Sequence, residues 1–215
     1  MIQRSPRFNG YVPDNHPDLK AHAIVAREAA TEGMVLLKNQ KHALPISSKV
    51  KKMAVFGRTS YDFLAGGTGS GDVHHAYVVS LIEGLQNAGY SVDKGLRETY
   101  EQYIPEAKTR VPKDTSLYAQ FLPIKMIPEM SLNGVDVNRL AAENDMAVIT
   151  IGKSSGEFAD RKIEGGFNLT PAEKEMISTV CKAFHARGKK AVVILNVCGP
   201  IETASWISAP DAVLA

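Results

Sequence analysis

The sequence predicts an α/β fold, a three-layer α/β sandwich built around a mostly parallel sheet. Short apolar runs at 53–56, 146–151, 191–195 and 212–215 read as buried strands, and the segments between them return to helical spacing. Strands that alternate with helices imply parallel βαβ units with right-handed crossovers. With 215 residues, 44% hydrophobic and 22% charged, the chain can bury a normal core.

The elements follow in order. From Pro17 to Leu37 the residues Leu19, Ala23, Ile24, Ala26, Ala30, Met34 and Leu37 recur mostly three or four apart, which predicts one long amphipathic helix. Met53-Ala-Val-Phe56 ends in Gly57, as a buried strand would. Tyr77 to Ala88 is helical through Val78, Leu81, Ile82 and Leu85, with Gly89 as its stop. Residues 97–111 are read as helix, and 112–134, with Pro112, Pro123, Pro128 and Gly134, as a long irregular excursion.

Met146 to Ile151 is the next strand. Thr170-Pro-Ala-Glu173 then combines a capping hydroxyl, a proline suited to the first helical turn and a Glu able to bond back to the cap amide. It opens a helix over 171–187 that Gly188 ends. Ala191 to Leu195 is a further strand, and Ala212 to Ala215 begins another with no helix after it to cover it, so the sandwich is expected to be incomplete at its C-terminal end.

Composition excludes several classes. Lys and Arg total 25 against 23 acidic residues, a formal charge of +2 with no charged block, which argues against nucleic acid or a membrane surface as partner. No apolar run approaches the roughly 20 residues of a membrane span, and the N-terminus lacks the apolar core of a secretory signal. A cytoplasmic location is the expectation. Cys181 and Cys198 show neither metal-ligand spacing nor disulfide density and are read as reduced thiols. No metal and no cofactor is implied. His74 and His75 are adjacent, would point to opposite faces of an extended chain, and are read as surface residues. Trp206 is read as core.

Two segments carry chemistry. Lys153-Ser-Ser-Gly-Glu157-Phe-Ala-Asp-Arg161 places Glu157 at the C-terminal end of a strand, where open α/β sheets hold their sites. It is a candidate general acid/base; the competing reading is a solvated carboxylate paired with Arg161 or Lys153. Gly66-Gly-Thr-Gly-Ser-Gly-Asp72 has three readings. A phosphate cradle lacks the Lys-Ser/Thr ending of a P-loop and has the wrong spacing for a dinucleotide site. A linker seldom ends in Gly-Asp directly before an amphipathic helix. A tight loop whose small residues let another surface or a sugar approach the backbone is the reading preferred.

Five ordered motifs then carry a resemblance: Ala26 to Asn39 with Ala43-Leu-Pro-Ile46, the Gly66–Asp72 loop, Ser155-Gly-Glu157, Asp160-Arg161, and Asn196-Val-Cys-Gly-Pro200. Together the chain resembles the second domain of glycoside hydrolase family 3, in its bacterial β-glucosidase branch. The resemblance implies that residues 1–16 are a segment leaving a (β/α)8 barrel and that 17–215 form the α/β sandwich domain. It also implies a retaining β-glucosidase acting on a β-glucoside or oligosaccharide, in which an Asp nucleophile sits on the barrel and the second domain lends Glu157 as acid/base. The barrel, absent from this chain, would be a partner in cis or in trans, and this chain alone is expected to be inactive. Ser70 is carried over as a sugar contact, with Asp72 and Gly69 beside it. Asp160 and Arg161 are expected to pair and hold the loop. Burial under a substrate beside Phe158 is expected to raise the pKa of Glu157, as proton donation requires. The alternative is a noncatalytic carbohydrate-binding or protein-interaction module derived from the same domain.

Overall fold

Six strands share one mixed sheet in the computed structural model, which describes residues 15–112, 115–158 and 160–215. They are β1 (Leu36–Asn39), β2 (Lys52–Phe56), β3 (Ser91–Val92), β4 (Met146–Lys153), β5 (Lys190–Val197) and β6 (Ala212–Leu214), in the order β1-β6-β5-β4-β2-β3. All neighbours run parallel except β1, which lies antiparallel to β6 at one edge. The helices are α1 (Leu19–Gly33), α2 (Leu81–Asn87), α3 (Lys94–Thr109), α4 (Val137–Glu143) and α5 (Pro171–His185). Residues through Met34, with α1, form one unit and Val35–Ala215 another. The expected connecting segment 1–16 falls almost wholly outside the described residues. No helix among the described residues is long and apolar enough to cross a membrane.

The period-two alternation of the strands builds the layers. Phe56, Ile149, Val193 and Val213 face one side, where Tyr100 and Ile104 of α3, Leu140 of α4 and Ile177 and Phe184 of α5 close over them. Val55, Val148, Val192 and Ala212 face the other side, covered by Ile82 of α2 and by Ala43. Both central strands are therefore apolar on both faces, as a parallel sheet demands. Trp206 is core, as expected, with its indole N–H donated to the Glu202 carbonyl at 2.7 Å.

Several expectations need correction. The helix read over 17–37 stops at Gly33, and Met34 is already extended. The run after it becomes β1, because its backbone groups find partners in β6, with Leu36 opposite Leu214 and Asn39 opposite Ala212. Lys38 reinforces this edge by donating to the carbonyls of Ile207 and Pro210 at 2.7 and 2.6 Å. The helix read over 77–88 begins only at Leu81. Ser80 caps it, receiving the Glu83 amide while the Glu83 carboxylate accepts from the Ser80 amide, a box that fixes the start. Asp93 caps α3 and moves its start back to Lys94. β3 and α4 are elements the periodicity does not reveal. The irregular excursion stands, with a single short 3-10 turn at Ala119–Phe121 among its described residues. The capping box at Thr170 and the strands β2, β4, β5 and β6 lie where the sequence puts them.

Candidate active site

Three segments meet at the C-terminal ends of β2, β4 and β5. The first is the loop after β4. Lys153, its last strand residue, is buried and donates to both carboxylate oxygens of Glu173 at 2.8 and 2.6 Å and to the Gly165 carbonyl at 2.8 Å. Glu173 also belongs to the cap of α5. One buried ammonium thus ties the start of the loop to the turn that ends it. Lys153 is not the partner of Glu157.

The second segment is the excursion. The Glu157 amide donates to the Phe121 carbonyl at 2.8 Å, and the Ser154 hydroxyl donates to the Ile124 carbonyl at 3.0 Å. Gly156 makes this approach affordable, since a Cβ there would lie 2.4 Å from the Pro123 nitrogen. The Phe158 ring, largely exposed, meets Phe121 with centroids 4.9 Å apart and Tyr118 edge-on at 6.1 Å. An aromatic wall therefore stands beside the carboxylate.

The third is the glycine loop. Asn196, at the end of β5, clamps its root: its side chain accepts from the Leu64 amide at 2.9 Å and donates to the Leu64 carbonyl at 3.1 Å. Gly69 adopts φ +58°, and a Cβ there would meet Glu157 Oε1 at 2.6 Å. The loop is thus the tight one expected, and the surface that approaches its backbone is the Glu157 carboxylate. Ser70 donates to Glu157 Oε1 from its hydroxyl at 2.8 Å and from its amide at 3.1 Å.

The electrostatics are those of a site without substrate. Glu157 is exposed, and its pKa is lowered, first by the Ser70 hydroxyl and then by the Ser70 amide, both of which favour the charged form. Phe158 stands beside it without burying it. As it stands, Glu157 is a carboxylate at neutral pH.

Of the residues singled out from sequence, the structure brings Glu157, Ser70 and Gly69 together. Asp72 ends the glycine turn, its amide donating to the Gly69 carbonyl at 3.1 Å, and its side chain faces a neighbouring cavity instead. Asp160 and Arg161 form no ion pair among the described residues. Arg161 instead reaches across to the Pro200 carbonyl, with its guanidinium against Gly199. Arg161 therefore joins the Glu157 loop to the Asn196–Pro200 motif. Sequence reasoning missed Phe121 and Tyr118, which sit in a segment without periodicity. No cluster of metal-ligating side chains occurs among the described residues.

The family model described as the glycosyl hydrolase family 3 C-terminal domain matches residues 34–215. The chain belongs to glycoside hydrolase family 3. Among curated relatives it is 33% identical to beta-glucosidase A of Butyrivibrio fibrisolvens, covering 89% of this chain and 24% of that protein. It is 34% identical to a beta-glucosidase of Ruminococcus albus, covering 88% of this chain and 19% of that protein. Among solved structures, beta-glucosidase 3B from Thermotoga neapolitana in complex with alpha-D-glucose superposes with a TM-score of 0.84 at 40% identity, over 98% of this chain and 29% of that one. A beta-glucosidase from Paenibacillus barengoltzii superposes with a TM-score of 0.78 at 31% identity, over 94% of this chain and 21% of that one. The chain thus spans a quarter or less of the length of these two curated relatives.

Proposed function

We propose that this chain is the part of a retaining β-glucosidase that supplies the general acid/base, Glu157, to a nucleophilic Asp carried on a (β/α)8 barrel. The observation that supports this best is the 2.8 Å bond from the Ser70 hydroxyl to Glu157 Oε1, which joins the two motif loops at one solvent-facing point. Membership in glycoside hydrolase family 3 and the beta-glucosidase relatives point the same way.

The chemistry needs two carboxyl groups about 5 Å apart. In the first half-reaction the barrel Asp attacks the anomeric carbon, the glycosidic C–O bond breaks, and Glu157 gives its proton to the departing oxygen. In the second, Glu157, now a carboxylate, takes a proton from the water that attacks the same carbon and releases the Asp. The exposed, ionised carboxylate of Glu157 matches the second role directly. For the first, Glu157 must be protonated, and Ser70 is the switch. A sugar hydroxyl that claims the Ser70 Oγ removes the hydrogen bond holding Glu157 ionised, and a substrate lying across Phe158 and Phe121 strips water from it. Both changes raise its proton affinity when the leaving group needs a proton.

The test uses the enzyme that joins this chain to its barrel. With Glu157→Gln, glycosides with poor leaving groups, such as cellobiose, lose far more turnover than dinitrophenyl glucoside in the glycosylation step, and azide restores turnover of the activated substrate with a glucosyl azide product. Equal loss on both substrates without azide rescue would remove Glu157 from this role.

A further inference from the structure

A cavity of about 660 Å³ lies against the same glycine loop, and neither Ser70 nor Glu157 is in its wall. Its size falls within the range of small-molecule sites, roughly 300–1,000 Å³. What distinguishes it is Arg58, on the short turn that follows β2. Arg58 is only 6% exposed, and its backbone amide is fixed by both oxygens of Glu129 at 3.2 and 3.1 Å. Its guanidinium is not satisfied in the same way. Nη2 donates to the Met126 sulfur, a weak acceptor, at 3.6 Å; Nε has no partner, and the group forms no ion pair among the described residues.

A guanidinium cannot escape this situation by losing its proton, and a buried charge without a counter-charge is costly. Glu129, the carboxylate nearest its backbone, is itself pushed up to about 7 by burial, so at neutral pH it supplies only part of a negative charge. Lys108 and Lys125 also line the cavity. Lys108 shares its charge with Asp62 at 2.7 Å, and Asp72 faces the cavity from the loop side. The wall therefore carries a buried guanidinium whose Nε–H has no partner among the described residues, with Lys108, Asp62 and Asp72 beside it.

We infer that this cavity binds a small organic oxyanion, a carboxylate or a phosphate, gripped by the Arg58 guanidinium with Lys108 contributing charge. A planar fork with a free Nε–H is the donor set that meets two oxygens of such a group at once. The inference does not depend on the role of Glu157.

The experiment follows the Arg58 Nε–H resonance of the full chain during titration with inorganic phosphate and, separately, gluconate at constant ionic strength, with calorimetry in parallel. A saturable shift of that resonance by either anion is expected, and the anion that gives it identifies the source. Arg58→Met should weaken binding at least about tenfold and Lys108→Glu, on the exposed side of α3, about threefold. Glu157→Gln should leave the titration unchanged. No saturable shift up to roughly 20 mM, far above the affinity of a site worth the name, would overturn the assignment. So would binding that neither cavity substitution weakens. Should Arg58→Met fail to fold, the Nε–H titration of wild type and Lys108→Glu decides the matter.

Discussion

Two glutamates at the same end of the sheet meet opposite fates. Glu129 is held at 9% exposure against the turn after β2, and although it accepts the amides of Arg58 and Met130, burial outweighs those bonds and lifts its pKa to about 7. Glu157 stands in solvent, where little desolvation opposes the two bonds from Ser70, and its pKa falls. Glu129 in fact accepts more hydrogen bonds than Glu157, from the Arg58 and Met130 amides and the Tyr100 hydroxyl against the two from Ser70. The difference shows that water access, more than bond count, decides which way a carboxyl moves. It follows that a substrate able to exclude water from Glu157 would push it toward the condition of Glu129.

The contrast can be broken most forcefully at Glu157 itself. In the barrel-bearing enzyme, Glu157→Gln should slow cellobiose turnover by roughly 10²- to 10⁴-fold, whereas Glu129→Gln should leave it within a fewfold, as steady-state kinetics on both variants would show. A smaller effect concerns the frame of the loop. Lys153→Met leaves Glu173 buried without its ammonium and should cost roughly 3–5 kcal/mol, read from urea unfolding midpoints; a loss under 1 kcal/mol would mean that the loop is anchored elsewhere.

The next effect is a pH dependence. The folded pKa of Glu129, about 7, exceeds its ordinary value of 4.5. The folded state therefore holds this proton more tightly, its stabilisation is complete below pH 4.5, and it is lost as pH rises to about 7. At about 1.4 kcal/mol per unit, wild type should lose on the order of 3 kcal/mol over that window, and Glu129→Gln should flatten this loss. Parallel pH profiles for the two proteins would mean that the buried carboxyl titrates normally. The smallest effect sharpens the other half of the comparison. Ser70→Ala removes the first cause of the lowered pKa, so the carboxyl ¹³C titration of Glu157 should move to higher pH, and the alkaline limb of kcat/KM should move with it. An unmoved midpoint would show that the Ser70 amide alone sets the charge.

Much of the frame was legible in the sequence because its signals are local. The apolar runs of β2, β4, β5 and β6 declare buried parallel strands, and Thr170 with Glu173 marks a helix start within four residues. β1 was lost because its helical spacing is overruled by a partner strand some 175 residues on, a contact that no window of sequence contains. β3, with two residues, and α4, with seven, are too short for periodicity to speak. In the site, the motifs located Glu157 and Ser70 on separate loops. They did not disclose that the two touch, because that contact spans 87 positions and depends on a glycine at 69 and another at 156. The lowered pKa of Glu157 in the substrate-free site follows from that same contact and was illegible with it. Adjacency suggests that Asp160 and Arg161 pair, but the Pro200 carbonyl, 39 positions on, takes the guanidinium instead.

The Asn196 clamp on Leu64 has a bearing on how the chain comes into being. The side chain that shapes the root of the glycine loop is synthesised 132 residues after the backbone it holds. Until β5 leaves the ribosome, the segment 64–72 has no anchor from that strand, and closing so long a loop is among the slower events of assembly. The side chain that holds the root of the glycine loop is thus supplied only after β2, β3 and β4 have been made.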